Sequence, residues 1–189
     1  MKKLIIIILL IMVVGCSNTE KVKTDKSTIQ DKKIIKVQEE TMKLTSTAFE
    51  NGEGIPVKYT CDGENISPPL KISDVPKESK TLVLIMDDPD AVKPANKVWD
   101  HWIVFDIPPE TIIIPENTEP KGVHGIGTGE NLEYVGSCPP DKEHRYFFKL
   151  YALDTTLKLK EGSTKKQVED SMKEHILAEA VLIGTYKRL

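Results

Sequence analysis

The chain lacks the features that mark a multi-pass membrane protein or a nucleic-acid binder. Its longest apolar run, residues 4–14, holds eleven residues. As a helix that spans about 16 Å, against about 30 Å of bilayer hydrocarbon, so a membrane-spanning helix is not expected. Positive charge is not in excess: 26 Lys and Arg face 29 Asp and Glu. The basic footprint that nucleic-acid binding needs is therefore missing. Aromatic residues are only 6%, yet 39% of the chain is hydrophobic and 29% charged, a balance that excludes a wholly disordered chain. There is no Gly-x-Ser-x-Gly nucleophile elbow. The glycines at 122, 125, 127 and 129 lack the Lys-Ser/Thr of a phosphate loop and predict a mobile loop beside a pocket instead. No internal repeat or coiled-coil heptad is present.

What is present at the N-terminus reads as an address. Lys2 and Lys3 precede the apolar run and Gly15-Cys16 closes it, the pattern of a secretory signal peptide over residues 1–15. Val13-Val14-Gly15-Cys16 resembles the lipobox of bacterial lipoproteins, in which the cysteine is lipidated, as with palmitate, and anchors the exported chain. A plain signal peptide cut elsewhere is the alternative. Removing residues 1–15 leaves 24 Lys and Arg against 29 Asp and Glu, net −5. Residues 16–42 follow as a charged tether with six lysines, five acids and no aromatic residue, too polar to offset the entropy of ordering. As a coil it would reach roughly 28 Å; alternatively Ile34-Ile35-Lys36-Val37 adds an edge strand.

Residues 43–189 carry the pattern of a mostly-β domain. Leu82–Met86 is an apolar run before a polar turn, a buried strand. His101–Phe105 is a second, stopped by Pro108-Pro109, and Arg145–Leu153 is rich in aromatics. Ala178–Tyr186 holds a last strand. Pro- and Gly-rich connectors separate them. One helix is expected near the C-terminus: Thr164 and Gln167 form a capping box, and Val168, Met172 and Ile176 repeat at i+4 as a core stripe. His175 falls on that helix, and His124 in the glycine loop; both read as solvated.

The polar residues at strand ends draw the functional reading. Asp87, Asp88 and Asp90 crowd three acids into four positions, more repulsion than a turn requires. His101 and His144 stand at the heads of two later strands, with Trp99 and Tyr146 two positions away. Polar groups at several strand ends can meet in one mouth.

Asp88-Pro89-Asp90, Trp99-x-His101-Trp102 and Gly136-x-x-Pro139-Pro140 leading to His144-Arg145-Tyr146 resemble the phosphatidylethanolamine-binding protein family. Tyr59–Gly63, Ser67–Leu70 and Tyr151–Asp154 are similar to its bacterial, Raf-kinase-inhibitor-like branch. The likeness runs over residues 43–189. It implies two packed antiparallel sheets with short helices, and a small pocket for anions such as phosphate or phosphoethanolamine-like lipid headgroups. Carried over by position, that pocket holds Asp88, Asp90, His101, His144 and Tyr146, with Pro139 and Pro140 at its rim and Trp99 close by. Two positions depart from the family pattern: Val92 stands where a rim proline is usual, which would loosen one wall, and Cys138 precedes the proline pair.

Phosphate oxygens accept from N–H and O–H donors, most strongly when charge assists. Protonated His101 and His144 and the Tyr146 hydroxyl would supply them, with Asp88 and Asp90 orienting the histidines. No cofactor or catalytic residue is called for. Asp88, Asp90, His101 and His144 also make a possible metal-ligand set, and a His base with an Asp orienter would suit a phosphoester hydrolase. A kinase- or protease-inhibitor-like interaction module is the third alternative, its protein partner unspecified. Once Cys16 carries lipid, Cys61 and Cys138 form an even pair in an exported chain, which favours a disulfide over two buried thiols. The expected location is the extracytoplasmic face of the cell membrane.

Overall fold

The computed structural model describes residues 41–188. The signal peptide, Cys16 and nearly all of the tether lie outside the described residues. Strand β1 (Lys43–Ser46) pairs with β2 (Leu70–Ser73), and β2 with the short β5 (Ile113–Ile114). The larger sheet runs β6-β4-β3-β7-β8, comprising β3 (Thr81–Asp88), β4 (Trp99–Ile107), β6 (Val123–His124), β7 (His144–Leu153) and β8 (Ile176–Tyr186). Every pairing within the two sheets is antiparallel. The expected mostly-β, two-sheet architecture is thus the observed one.

Strand alternation explains why β3 reads as an unbroken apolar run. Leu82, Leu84 and Met86 join the core shared with Leu44, Leu70 and Ile72 of the small sheet. Val83 and Ile85 face the other way, packing with Ile103, Phe105, Val168 and Met172 beneath helix α2 (Lys165–Met172). (A four-residue helix, α1 (Val92–Ala95), precedes it in the chain.) A strand covered on both faces has no polar side to show.

The α2 capping box forms as expected. The Thr164 amide donates to Gln167 Oε1 at 2.9 Å, and the Gln167 amide to Thr164 Oγ1 at 3.4 Å. Val168 and Met172 are buried on its inner face. Ile176 does not continue that stripe. The helix ends at Met172, a turn carries His175, and Ile176 opens β8 with 39% exposure. Pairing with Leu153 of β7 overrides the local helical period. His175 stands in the turn and its Nδ1 bonds Asp154 at 2.8 Å.

The glycine segment is not an open loop. Val123 and His124 within it form β6, and Gly125, Ile126 and Thr128 donate backbone bonds to the carbonyls of Ile103, Ser163 and Asp100. A Cβ at Gly125 would lie 2.6 Å from Ile103 Cγ2, so glycine here permits close packing rather than motion. His124 is partly buried, with Nδ1 bonded to the Leu132 carbonyl at 2.9 Å.

Candidate functional site

The strand ends do form a mouth. A cavity of about 440 Å³ opens beside the C-terminal end of β3 and the start of β4. Its polar end is Asp88 and His101; Trp99, Ala91 and Ala95 supply apolar wall. The opposite wall is the segment Val135, Gly136, Cys138 and Pro140.

Asp88 is fixed from three directions. As N-cap of a 3-10 turn over Pro89–Ala91, its Oδ1 accepts from the amides of Asp90 at 2.9 Å and Ala91 at 3.1 Å. Its Oδ2 faces His144 Nδ1 at 2.7 Å. The other His144 nitrogen, Nε2, meets Asp141 Oδ1 at 2.8 Å. A histidine with a carboxylate on each nitrogen donates both protons and carries positive charge. Burial works against that charge, but the bonds to Asp88 and Asp141 outweigh it and the His144 pKa is raised.

His101 behaves in the opposite way. It is buried, and its Nδ1 donates to the Val135 carbonyl at 2.9 Å. Burial pushes its pKa down against the pull of that carbonyl and of Asp88. The neutral ring therefore keeps its proton on Nδ1 and presents a bare Nε2, which has no hydrogen-bond partner among the described residues. Tyr146 packs edge-on to His101, with ring centroids 5.3 Å apart. The Tyr146 hydroxyl is buried close to the Cys138 backbone, and burial pushes its pKa up.

The opposite wall is stitched to residues 59–65. The Cys61 amide donates to the Ser137 carbonyl at 3.1 Å, Tyr134 Oη to the Tyr59 carbonyl at 2.7 Å, and the Gly136 amide to Asn65 Oδ1 at 2.8 Å. A Cβ on Gly136 would lie 2.5 Å from the Tyr59 carbonyl oxygen, so only glycine fits. Cys61 and Cys138 are joined as a disulfide.

Of the residues expected in the pocket, Asp88, Trp99, His101 and Pro140 line it. His144 and Tyr146 are wholly buried beside it, His144 behind Asp88 and Tyr146 against His101. Pro139 lines a neighbouring groove. Asp90 turns to Arg145, accepting from its backbone amide, Nε and Nη2 at 2.9–3.0 Å, and that guanidinium holds the carboxyl down at about 2. The four side chains weighed as metal ligands accordingly do not converge. Val92 opens the short helix α1 and points outward, 47% exposed, so the missing proline leaves the pocket wall intact. Sequence reasoning did not single out Ala91, Ala95, Val135 or Asp141. Alanines and a valine carry no chemical signal, and Asp141 is distinguished only by its bond to His144.

Fold and pocket together define a two-sheet β protein with a small, mostly apolar site whose polar groups gather at one end. The sequence profile described as phosphatidylethanolamine-binding protein matches residues 45–187. A UPF0098 protein of Methanothermobacter thermautotrophicus is 50% identical over 153 residues, covering 78% of this chain and 99% of that one. The crystal structure of a putative phosphatidylethanolamine-binding protein homologue from Chlamydia trachomatis superposes with a TM-score of 0.75 at 46% identity, over 79% of this chain and 99% of that one. E. coli YbcL, described as a member of the mammalian family, gives 0.72 at 29% identity, over 78% and 99%. The chain belongs to the phosphatidylethanolamine-binding protein family.

Proposed function

We propose that this protein is an exported, lipid-anchored binding protein of the Raf-kinase-inhibitor-like branch. Its pocket takes a small phosphate-bearing group, free or as a lipid headgroup. The observation that carries this reading is that Asp88 and His101 both line the polar end of an otherwise apolar cavity of about 440 Å³. Pockets of that volume with a few convergent polar groups suit small ligands.

The expected division of labour changes in one respect. Both nitrogens of His144 are taken by carboxylates, so His144 positions Asp88 rather than contacting the ligand. His101 is the contacting group. Its Nε2 gains a proton when an anion enters and then donates a charge-assisted bond. Asp88 repels the anion less than a free carboxylate would, because two amides and His144 already surround it. Trp99 lines the pocket wall, and its ring already carries the Lys97 ammonium 5.8 Å from its centroid.

Calorimetry with phosphoethanolamine from about pH 5 to about pH 8 tests the site, since histidine protonation is the switch in that range. Affinity should rise as pH falls, and His101→Ala should remove both the binding and its pH dependence. Flat affinity, or binding unchanged in His101→Ala, would overturn the assignment. For the anchor, palmitate should label the full chain in cells and not its Cys16→Ala variant.

A further inference from the structure

A second cavity, about 480 Å³, lies beside the first and shares Pro140 with it. Its composition is unlike that of its neighbour. Lys142, Lys187 and Arg188 bring three cations, and Asp62 and Asp141 two carboxylates. Both carboxylates are already engaged. Asp62 accepts from Tyr186 Oη at 2.9 Å and from Arg188 Nε and Nη2 at 2.8–3.2 Å. Asp141 accepts from His144. Lys142 and Lys187 are exposed and form no salt bridge among the described residues. Two ammonium groups outside any salt bridge among the described residues, Lys142 with only the neighbouring Asp141 close by, thus face one cavity on a chain whose net charge is −3.

The groove is also a built feature. Tyr186 is the last β8 residue in the ladder, opposite His144, so Lys187 and Arg188 run past the sheet edge. There Arg188 and Tyr186 clamp Asp62, the residue after Cys61, while Pro139 follows Cys138. The disulfide therefore ties together the two segments that supply the groove walls.

We infer that the two cavities are subsites for one ligand with two anionic groups. A phosphate enters the pocket at His101, and a second anion, joined by a short linker passing Pro140, lies between Lys142 and Lys187. This inference rests on the phosphate reading of the first pocket. It narrows the ligand class from any small phosphate to a phosphomonoester bearing a carboxylate or second phosphate.

The test is calorimetry on the wild-type protein at low ionic strength with three probes: phosphoethanolamine, phosphorylated hydroxyhexanoate, and the uncharged amide of that compound. The acid and amide share a tether and differ by one charge at its far end. The acid should bind about two- to fivefold tighter than the amide, the range expected for one carboxylate among exposed cations. The preference should fade at high salt. Lys142→Gln/Lys187→Gln should abolish the preference while leaving phosphoethanolamine affinity and the melting temperature unchanged. Equal affinity for acid and amide, or a preference that survives in the double variant, overturns the two-subsite inference alone. Failure of phosphoethanolamine to bind wild type overturns the pocket reading, and this inference with it.

Discussion

The carboxylate of Asp88 and the imidazole of His144 meet at 2.7 Å with His144 wholly buried, although 56 positions separate them in the chain. The contact ties the end of β3 to the head of β7. Through Asp141 it also reaches the segment that forms the opposite pocket wall.

Removing that imidazole leaves Asp88 buried beside an empty space. His144→Ala should cost about 3–5 kcal/mol, as for other buried ion pairs broken from one side. Urea unfolding checks this. His144→Gln, which keeps one donor, should lose less.

The two histidines give opposite pH dependences. His144 has a raised folded-state pKa. Its contribution is complete below the unfolded value of about 6.5 and disappears as pH rises through the folded one. His101 has a lowered pKa because of burial. Its contribution is present above about 6.5 and disappears as pH falls through the folded value. Melting temperatures measured across this range should lose their alkaline decline in His144→Gln and part of their acid decline in His101→Gln.

A second buried charge cluster lies on the far face of β3. Asp87 is 1% exposed and is held by Lys149 at 2.7 Å and by Lys165 of α2, which also reaches Asp100 at 3.3 Å. Lys165 is the more enclosed lysine, with its side chain 14% exposed against 26% for Lys149. Lys165→Met should therefore destabilise more than Lys149→Met, by about 2–4 kcal/mol, and should detach the N-terminal turn of α2. Hydrogen exchange of the α2 amides would report the detachment.

Disulfide removal should act on stability and binding together. Cys61 and Cys138 are 77 positions apart, and opening a loop of that length costs roughly 4 kcal/mol in the chain-entropy account. Cys138 also lines the pocket. Cys61→Ser/Cys138→Ser should lower both the melting temperature and phosphoethanolamine affinity.

Space is the last constraint. Gly136→Ala places a methyl 2.5 Å from the Tyr59 carbonyl, so backbone must shift, at about 1–3 kcal/mol, and the wall moves with it. Ala95→Leu instead projects into the cavity from α1. It should block phosphoethanolamine in calorimetry while the melting temperature stays close to wild type.

Local chemistry made much of this protein readable in one dimension. The apolar run at 82–86 and the aromatic one at 145–153 marked β3 and β7 because burial on both faces, or packing against a second sheet, demands such residues. Thr164 and Gln167 marked the start of α2, since a capping box needs only neighbours three positions apart. The motifs at Asp88, Trp99 and His101 pointed to residues that line one cavity at the strand ends. Ile176 was misplaced because its helical spacing is a local signal, while its strand is made by Leu153, 23 positions earlier. The roles within the site were likewise unreadable. Asp87 and Asp88 are adjacent, but strand alternation sends one toward Lys149 and Lys165 and the other toward the pocket. His101 and His144 head strands in the same way, yet one presents a free nitrogen to the cavity and the other spends both on carboxylates. Which neighbours a buried polar group finds depends on contacts between distant segments, and those exist only once the sheets have closed.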